Sequence, residues 1–175
     1  MQAISFAKRG LMGGLMACGV LLLGSCGESS GSGSHGFHSK YAVARNALES
    51  GDYARAKRSY QKLITEAGPL AARLRLEYAH AELRAGNYAE AAKIAGDLAQ
   101  GQSGEARGAA LAVQGTAQHE LGLMLLAEGD GEAGKAQLTQ ARAALAEVLK
   151  SHADLDPLGS MAGRRASISA RLQKL

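Results

Sequence analysis

The strongest constraint on this chain is that part of it is written twice. ALESGDYARAKRSYQKL (Ala47–Leu63) is echoed by ELRAGNYAEAAKIAGDL (Glu82–Leu98), and Gly51-Asp52-Tyr53 with Ala56 aligns with Gly86-Asn87-Tyr88 and Ala91 at an offset of 35 residues. Self-similarity at a period of about 20–50 residues marks stacked supersecondary units, each too small to bury its apolar face alone. Each copy reads as helix, tight turn, helix. Gly51 and Gly86 sit where the first helix of a pair must end in a left-handed residue. Asp52 and Asn87 follow as N-caps of the second helix.

Apolar spacing supports the pairing. Tyr53, Ala56, Tyr60, Leu63 and Ile64 share one face of a helix. In the second copy Tyr88, Ala91, Ala95 and Leu98 do the same, with Ile94 beside them. Aromatic residues make up only 4% of the chain, with no Trp and two Pro, so the core must be aliphatic and alanine-based. Small residues such as Ala56 and Ala91 let neighbouring helices approach closely. Gly68-Pro69 ends the first unit.

At these residues the chain resembles the tetratricopeptide repeat (TPR) family, whose period is about 34 residues. Tyr53, Ala56, Tyr60 and Pro69, with Tyr88 and Ala91, match the family's marks. The first helices lack its Trp and Leu-Gly signature, having Val43-Ala44 and Tyr78-Ala79 there, and the second unit has no terminal proline. A divergent third unit carries Leu121-Gly122, Leu125 and Gly129-Asp130, then Leu138 and Ala141. Its turn glycine falls 43 residues after Gly86. The extra length over one period is about two helical turns, which predicts longer helices over 105–127 and 132–151. A closing helix over 160–172, carrying Arg164, Arg165 and Arg171, would form the polar end that a solenoid requires. The expected fold is thus all-α: a short TPR-like α-solenoid of about three antiparallel helix pairs plus a C-terminal capping helix, over 39–175.

Ahead of the repeats, residues 1–25 have the parts of an export signal. Lys8 and Arg9 precede the apolar run Gly10–Leu23, which is shorter than the ~20 residues a bilayer span needs and holds four glycines. Leu23-Gly24-Ser25-Cys26 resembles the bacterial lipobox. That resemblance implies cleavage before Cys26, lipidation of its thiol and acylation of the new N-terminus. Cys18 has Leu15 at the matching position but is followed by GVLLL, which would leave an apolar mature start. With Cys18 discarded and Cys26 acylated, no disulfide is expected. Two or more acyl chains anchor stably. Gly27 after the cysteine favours, by resemblance to enterobacterial lipoproteins, the periplasmic face of the outer membrane. Residues 26–38 are rich in Gly and Ser and read as a flexible tether. The pattern Gly27-Glu28-Ser29-Ser30-Gly31 lacks the strand and helix that a G-x-S-x-G nucleophile needs.

Composition argues against nucleic acid. Removing Lys8 and Arg9 from the 20 basic residues leaves 18 against 16 acidic, a body near +2. Catalytic patterns are few: His119-Glu120 is followed by LGLML without a second histidine, and there is no C-x-x-C or Walker loop. His35 and His38 read as solvated, and His80 as a groove or core histidine. No metal or cofactor is expected.

Function should therefore lie on the concave face lined by the first helices. Carried over from the family by the turn glycine, the groove positions are Tyr41, Arg45, Leu48 and Glu49, then Leu76, His80, Leu83 and Arg84. Such a mixture suits a peptide with some negative charge. The resemblance implies a lipid-anchored envelope scaffold or assembly factor that binds a protein partner, similar to pilus-assembly and barrel-assembly lipoproteins. The alternative is an accessory subunit or enzyme of envelope or glycan metabolism with a pocket between the second and third units. A third reading is self-association through an exposed helix face.

Overall fold

The structure, a computed structural model, describes residues 32–175. The export signal expected over residues 1–25, the anchor at Cys26 and the start of the tether lie outside the described residues. The described part is all-α, a helical repeat of stacked antiparallel pairs. Its helices are α1 (Ser32–Glu49), α2 (Tyr53–Glu66), α3 (Ala71–Arg84), α4 (Tyr88–Gly101), α5 (Gly104–Ala127), α6 (Gly131–Ser151) and α7 (Ser160–Leu172). Each helix packs on the next in sequence, and α3 also touches α5.

The repeat is clearest in its turns. The links 50–52, 85–87 and 128–130 are the same length, and each holds a left-handed glycine: Gly51 at φ 81°, Gly86 at 81° and Gly129 at 89°. At the end of α3, Asn87 N–H donates to the Glu82 carbonyl and Gly86 N–H to that of Leu83. At the end of α5, Asp130 donates to Leu125 and Gly129 to Leu126. These paired bonds occupy carbonyls that a helix end otherwise leaves open, and a residue with a Cβ resists the backbone they require.

Two expectations need correction. The Gly/Ser-rich segment is predicted to remain coil through residue 38, yet α1 already begins at Ser32. Phe37 packs against the first core cluster alongside Tyr41, and that burial offsets the weak helix propensity of Gly and Ser. Asn87 is predicted to cap α4 with its side chain. It makes no such bond, whereas Asp52 Oδ1 accepts from Arg55 N at 3.0 Å. The Asn87 amide is instead drawn to the buried Glu82, 2.6 Å away.

The added length of the third unit is helix, as expected: α5 has 24 residues and α6 has 21, against 14 in each of α2, α3 and α4. Glycines spaced along α5 set how closely this pair packs. A Cβ on Gly115 would lie 2.9 Å from Leu145 Cγ, and one on Gly122 the same distance from Leu138 Cγ. Gly134 on α6 receives Leu126 in the same way. Leu138 and Leu145 are fully buried, and with Ala141 and Ile168 they carry the core across to α7.

The helix after Pro157 starts where predicted, though not on a cap of its own. Asp156 reaches forward: Oδ1 accepts from Met161 N at 3.0 Å and Oδ2 from Ala162 N at 2.9 Å. Backbone bonding to Met161, against the opposing cost of desolvation and with help from Ala162 and Ser160, holds its pKa below the ordinary carboxylate value.

Candidate functional site

Alternation of the helices builds two layers. Tyr41 of α1 reaches Glu77 of α3, α3 touches α5, and Arg164 of α7 reaches Glu120 of α5. Thus α1, α3, α5 and α7 lie side by side. In the other layer, clefts lined from both sides part α2 from α4 and α4 from α6. A further cleft, between α3 and α5, opens on the α1/α3/α5/α7 face, which also carries most of the expected groove positions.

On that face the organising residue is Glu77. Tyr60 Oη donates to its Oε2 at 2.8 Å, and Tyr41 Oη donates to Oε1 at 2.9 Å. Arg45 and Arg73 stand further off, at 3.8 and 3.7 Å. The carboxylate keeps only 15% of its side-chain surface exposed, so these four groups replace most of its water. Burial first, then the bond to Glu77, pushes both tyrosine pKa values up, so the two phenols stay protonated donors.

The groove positions inferred from the family resemblance are only partly brought together. Tyr41 is half-buried on Glu77, and Arg45 is exposed, paired with Glu49 at 2.8 Å. His80 is exposed to solvent yet ringed by protein. Desolvation, then Arg84, lowers its pKa, Glu77 opposes the shift, and the ring is neutral at pH 7. Arg84 is exposed, with its guanidinium 5.6 Å from the Tyr53 ring centroid, within cation–π range. The leucines differ from expectation. Leu48 is only 5% exposed and belongs to the core, and Leu76 and Leu83 are half-buried against core clusters. The expectation of Leu48 as a groove residue is therefore corrected: three residues past Arg45, its side chain packs in the core with residues of α2 and α3.

Sequence reading missed Glu77, Arg73 and Glu82. Glu77 and Arg73 do lie on the helical row 73, 77, 80, 84, which contains two of the expected positions. Glu82 is 4% exposed and bonded by Lys57 Nζ at 3.0 Å as well as by Asn87. Burial raises its pKa, but Asn87, Tyr78 and Lys57 together outweigh that and leave it lowered. Burial and then Glu82 raise the Tyr78 pKa to about 12. Glu82 is thus held as an anion and not poised as a proton carrier.

At the far end of the layer, Arg164 Nη1 lies 2.6 Å from His119 Nδ1 and 2.5 Å from Glu120 Oε1. A guanidinium can only donate, so Nδ1 accepts and the imidazole is neutral. Burial, then Arg164, lowers the His119 pKa in agreement. Among the described residues no cluster of three His, Cys, Asp or Glu side chains could hold a metal ion, and no helix is long and apolar enough to cross a membrane.

The fold and this face define a class: an all-α helical-repeat protein with charged side chains on its α1/α3/α5/α7 face. Comparison of the chain with protein-family models, curated proteins and solved structures finds no match.

Proposed function

We propose that the chain is a lipid-anchored bacterial envelope protein whose TPR-like stack is a scaffold or assembly factor, binding a protein partner on its α1/α3/α5/α7 face. The observation that carries this reading is the grouping of Arg45 and Arg73 beside a Glu77 that Tyr41 and Tyr60 already bond, with His80 and Arg84 following on the same helical row. Because Glu77 is satisfied from within, the guanidinium groups keep donor capacity for an incoming carboxylate. An acidic, partly apolar peptide suits that surface, with Tyr41 and Tyr53 giving aromatic edges. Acylation at Cys26 would hold the domain at the periplasmic face of the outer membrane and raise its local concentration near membrane partners.

The alternative is an accessory subunit or enzyme of envelope or glycan metabolism with a pocket between repeats. The cleft between α4 and α6 favours it only in being polar; its charged residues are Lys93 and Asp97, paired at 3.2 Å. Two measurements test the scaffold reading. Cys26→Ala should abolish lipid labelling and release the chain to the soluble fraction, and unchanged membrane retention would refute the anchor. In-cell crosslinking should lose its main partner in an Arg45→Glu/Arg84→Glu variant, and an unaltered partner set would refute the groove.

A further inference from the structure

The cleft between α4 and α6, floored by α5, is lined largely by primary amides. Five glutamines line it: Gln100 from α4, Gln114 and Gln118 from α5, and Gln137 and Gln140 from α6. Its volume is about 340 Å³, and it is open to solvent on the α4/α6 side of the stack. The facing stretch of α4 offers Ala89, Ala92 and Gly96, so that wall is low. A Cβ on Gly96 would lie 3.1 Å from Gln114 Nε2, so glycine there leaves the amide its place.

Gln118 is 6% exposed, and its Nε2 donates to Gln140 Oε1 at 2.8 Å while its own Oε1 has no partner. A buried carbonyl without a donor costs about 1–3 kcal/mol, so this amide is positioned at a standing cost.

We propose that this cleft binds an extended, uncharged polypeptide segment by its backbone. A primary amide presents the same donor and acceptor as a peptide group, so a row of glutamines imitates the edge of a strand. Gln114 and Gln118 are spaced about 6 Å along α5 at ~1.5 Å per residue. Peptide groups facing one way in a strand recur every ~6.6 Å, so one glutamine can serve each. Lys93 and Asp97 pair with each other, so the lining carries no net charge to select a phosphate or an acidic chain. Alanine, glycine and Leu121 line the remainder, with no aromatic ring for a sugar to stack on. The small α4 wall gives little pocket depth for side chains, so recognition reads the backbone and tolerates many sequences.

The test uses the side-chain NH2 signals of these glutamines in ¹⁵N-labelled full chain. The probe is a blocked peptide of alternating threonine and valine, beside its form N-methylated at alternate residues and beside chitotriose. The unmodified peptide should shift the Gln114, Gln118 and Gln140 signals saturably, and N-methylation should weaken it about tenfold or more, as for loss of two modest hydrogen bonds. Gln114→Leu and the exposed Gln140→Leu should each weaken binding with the helical spectrum unchanged. Arg45→Glu/Arg84→Glu should not alter it, which separates this cleft from the α1/α3/α5/α7 face. Equal binding of the N-methylated peptide, movement with chitotriose alone, or no movement at all would overturn the proposal.

Discussion

Tyr60 and Glu77, on successive helices α2 and α3, are joined by a 2.8 Å hydrogen bond whose donor side chain is fully buried. That contact ties the first helix pair to the second through a charged acceptor in the core. Hydrogen bonds to a charged group contribute about 1.5–3 kcal/mol. Tyr60→Phe should lose that much in urea unfolding, and Tyr41→Phe less, because Tyr41 is only half-buried. Equal and negligible losses would mean that Glu77 is solvated and not held.

The two N-cap positions should respond unequally to exchange between acid and amide. Asp52→Asn keeps an acceptor for Arg55 N–H and should change stability by less than about 0.5 kcal/mol. Asn87→Asp replaces the donor to Glu82 with a second carboxylate beside a buried one, and should cost about 1–3 kcal/mol. Thermal unfolding of both variants checks this; similar small effects would place the Asn87 amide in solvent.

Glycines inside helices divide by what a methyl group would meet. Gly122→Ala drives a Cβ to 2.9 Å from Leu138 Cγ and 3.0 Å from the Gly134 carbonyl oxygen, and overpacking of this kind costs about 1–3 kcal/mol. Gly163, in α7, has nothing within 4 Å, so Gly163→Ala should stabilise by about 0.5–1 kcal/mol through helix propensity. Denaturant midpoints of the pair give the sign directly.

His119 links the packing of α7 to pH. Its folded pKa lies below the ordinary 6.5, through burial and then Arg164, with Arg171 adding to the shift and Glu120 opposing it. The unfolded chain therefore binds the proton more readily. The stability held by neutral His119 is complete above about pH 6.5 and is lost as pH falls towards the folded pKa. The melting temperature should drop on acidification, and His119→Gln should flatten that drop. His80 is also lowered, so a remaining slope is expected until it too is replaced. A slope unchanged in His119→Gln would place the Arg164 contact outside the pH response.

The sequence alone determined the helices and the turns, because those depend on neighbours in the chain. Glycine at 51, 86 and 129 allows a left-handed residue that others resist, and the alternation of small and large apolar positions decides which face is buried. The closing helix was legible for the same reason, from Asp156-Pro157 and the arginines after it. What no local pattern encodes is which polar groups meet. Glu77 draws donors from α1 and α2 as well as the Arg73 of its own helix, Glu82 takes Asn87 away from its cap, and glutamines up to 40 residues apart come to line one cleft. Leu48 shows the same limit from the apolar side, since only the packing of α2 and α3 places it in the core. Desolvation and hydrogen bonding across helices fix these pairings, and both exist only once the helices are stacked.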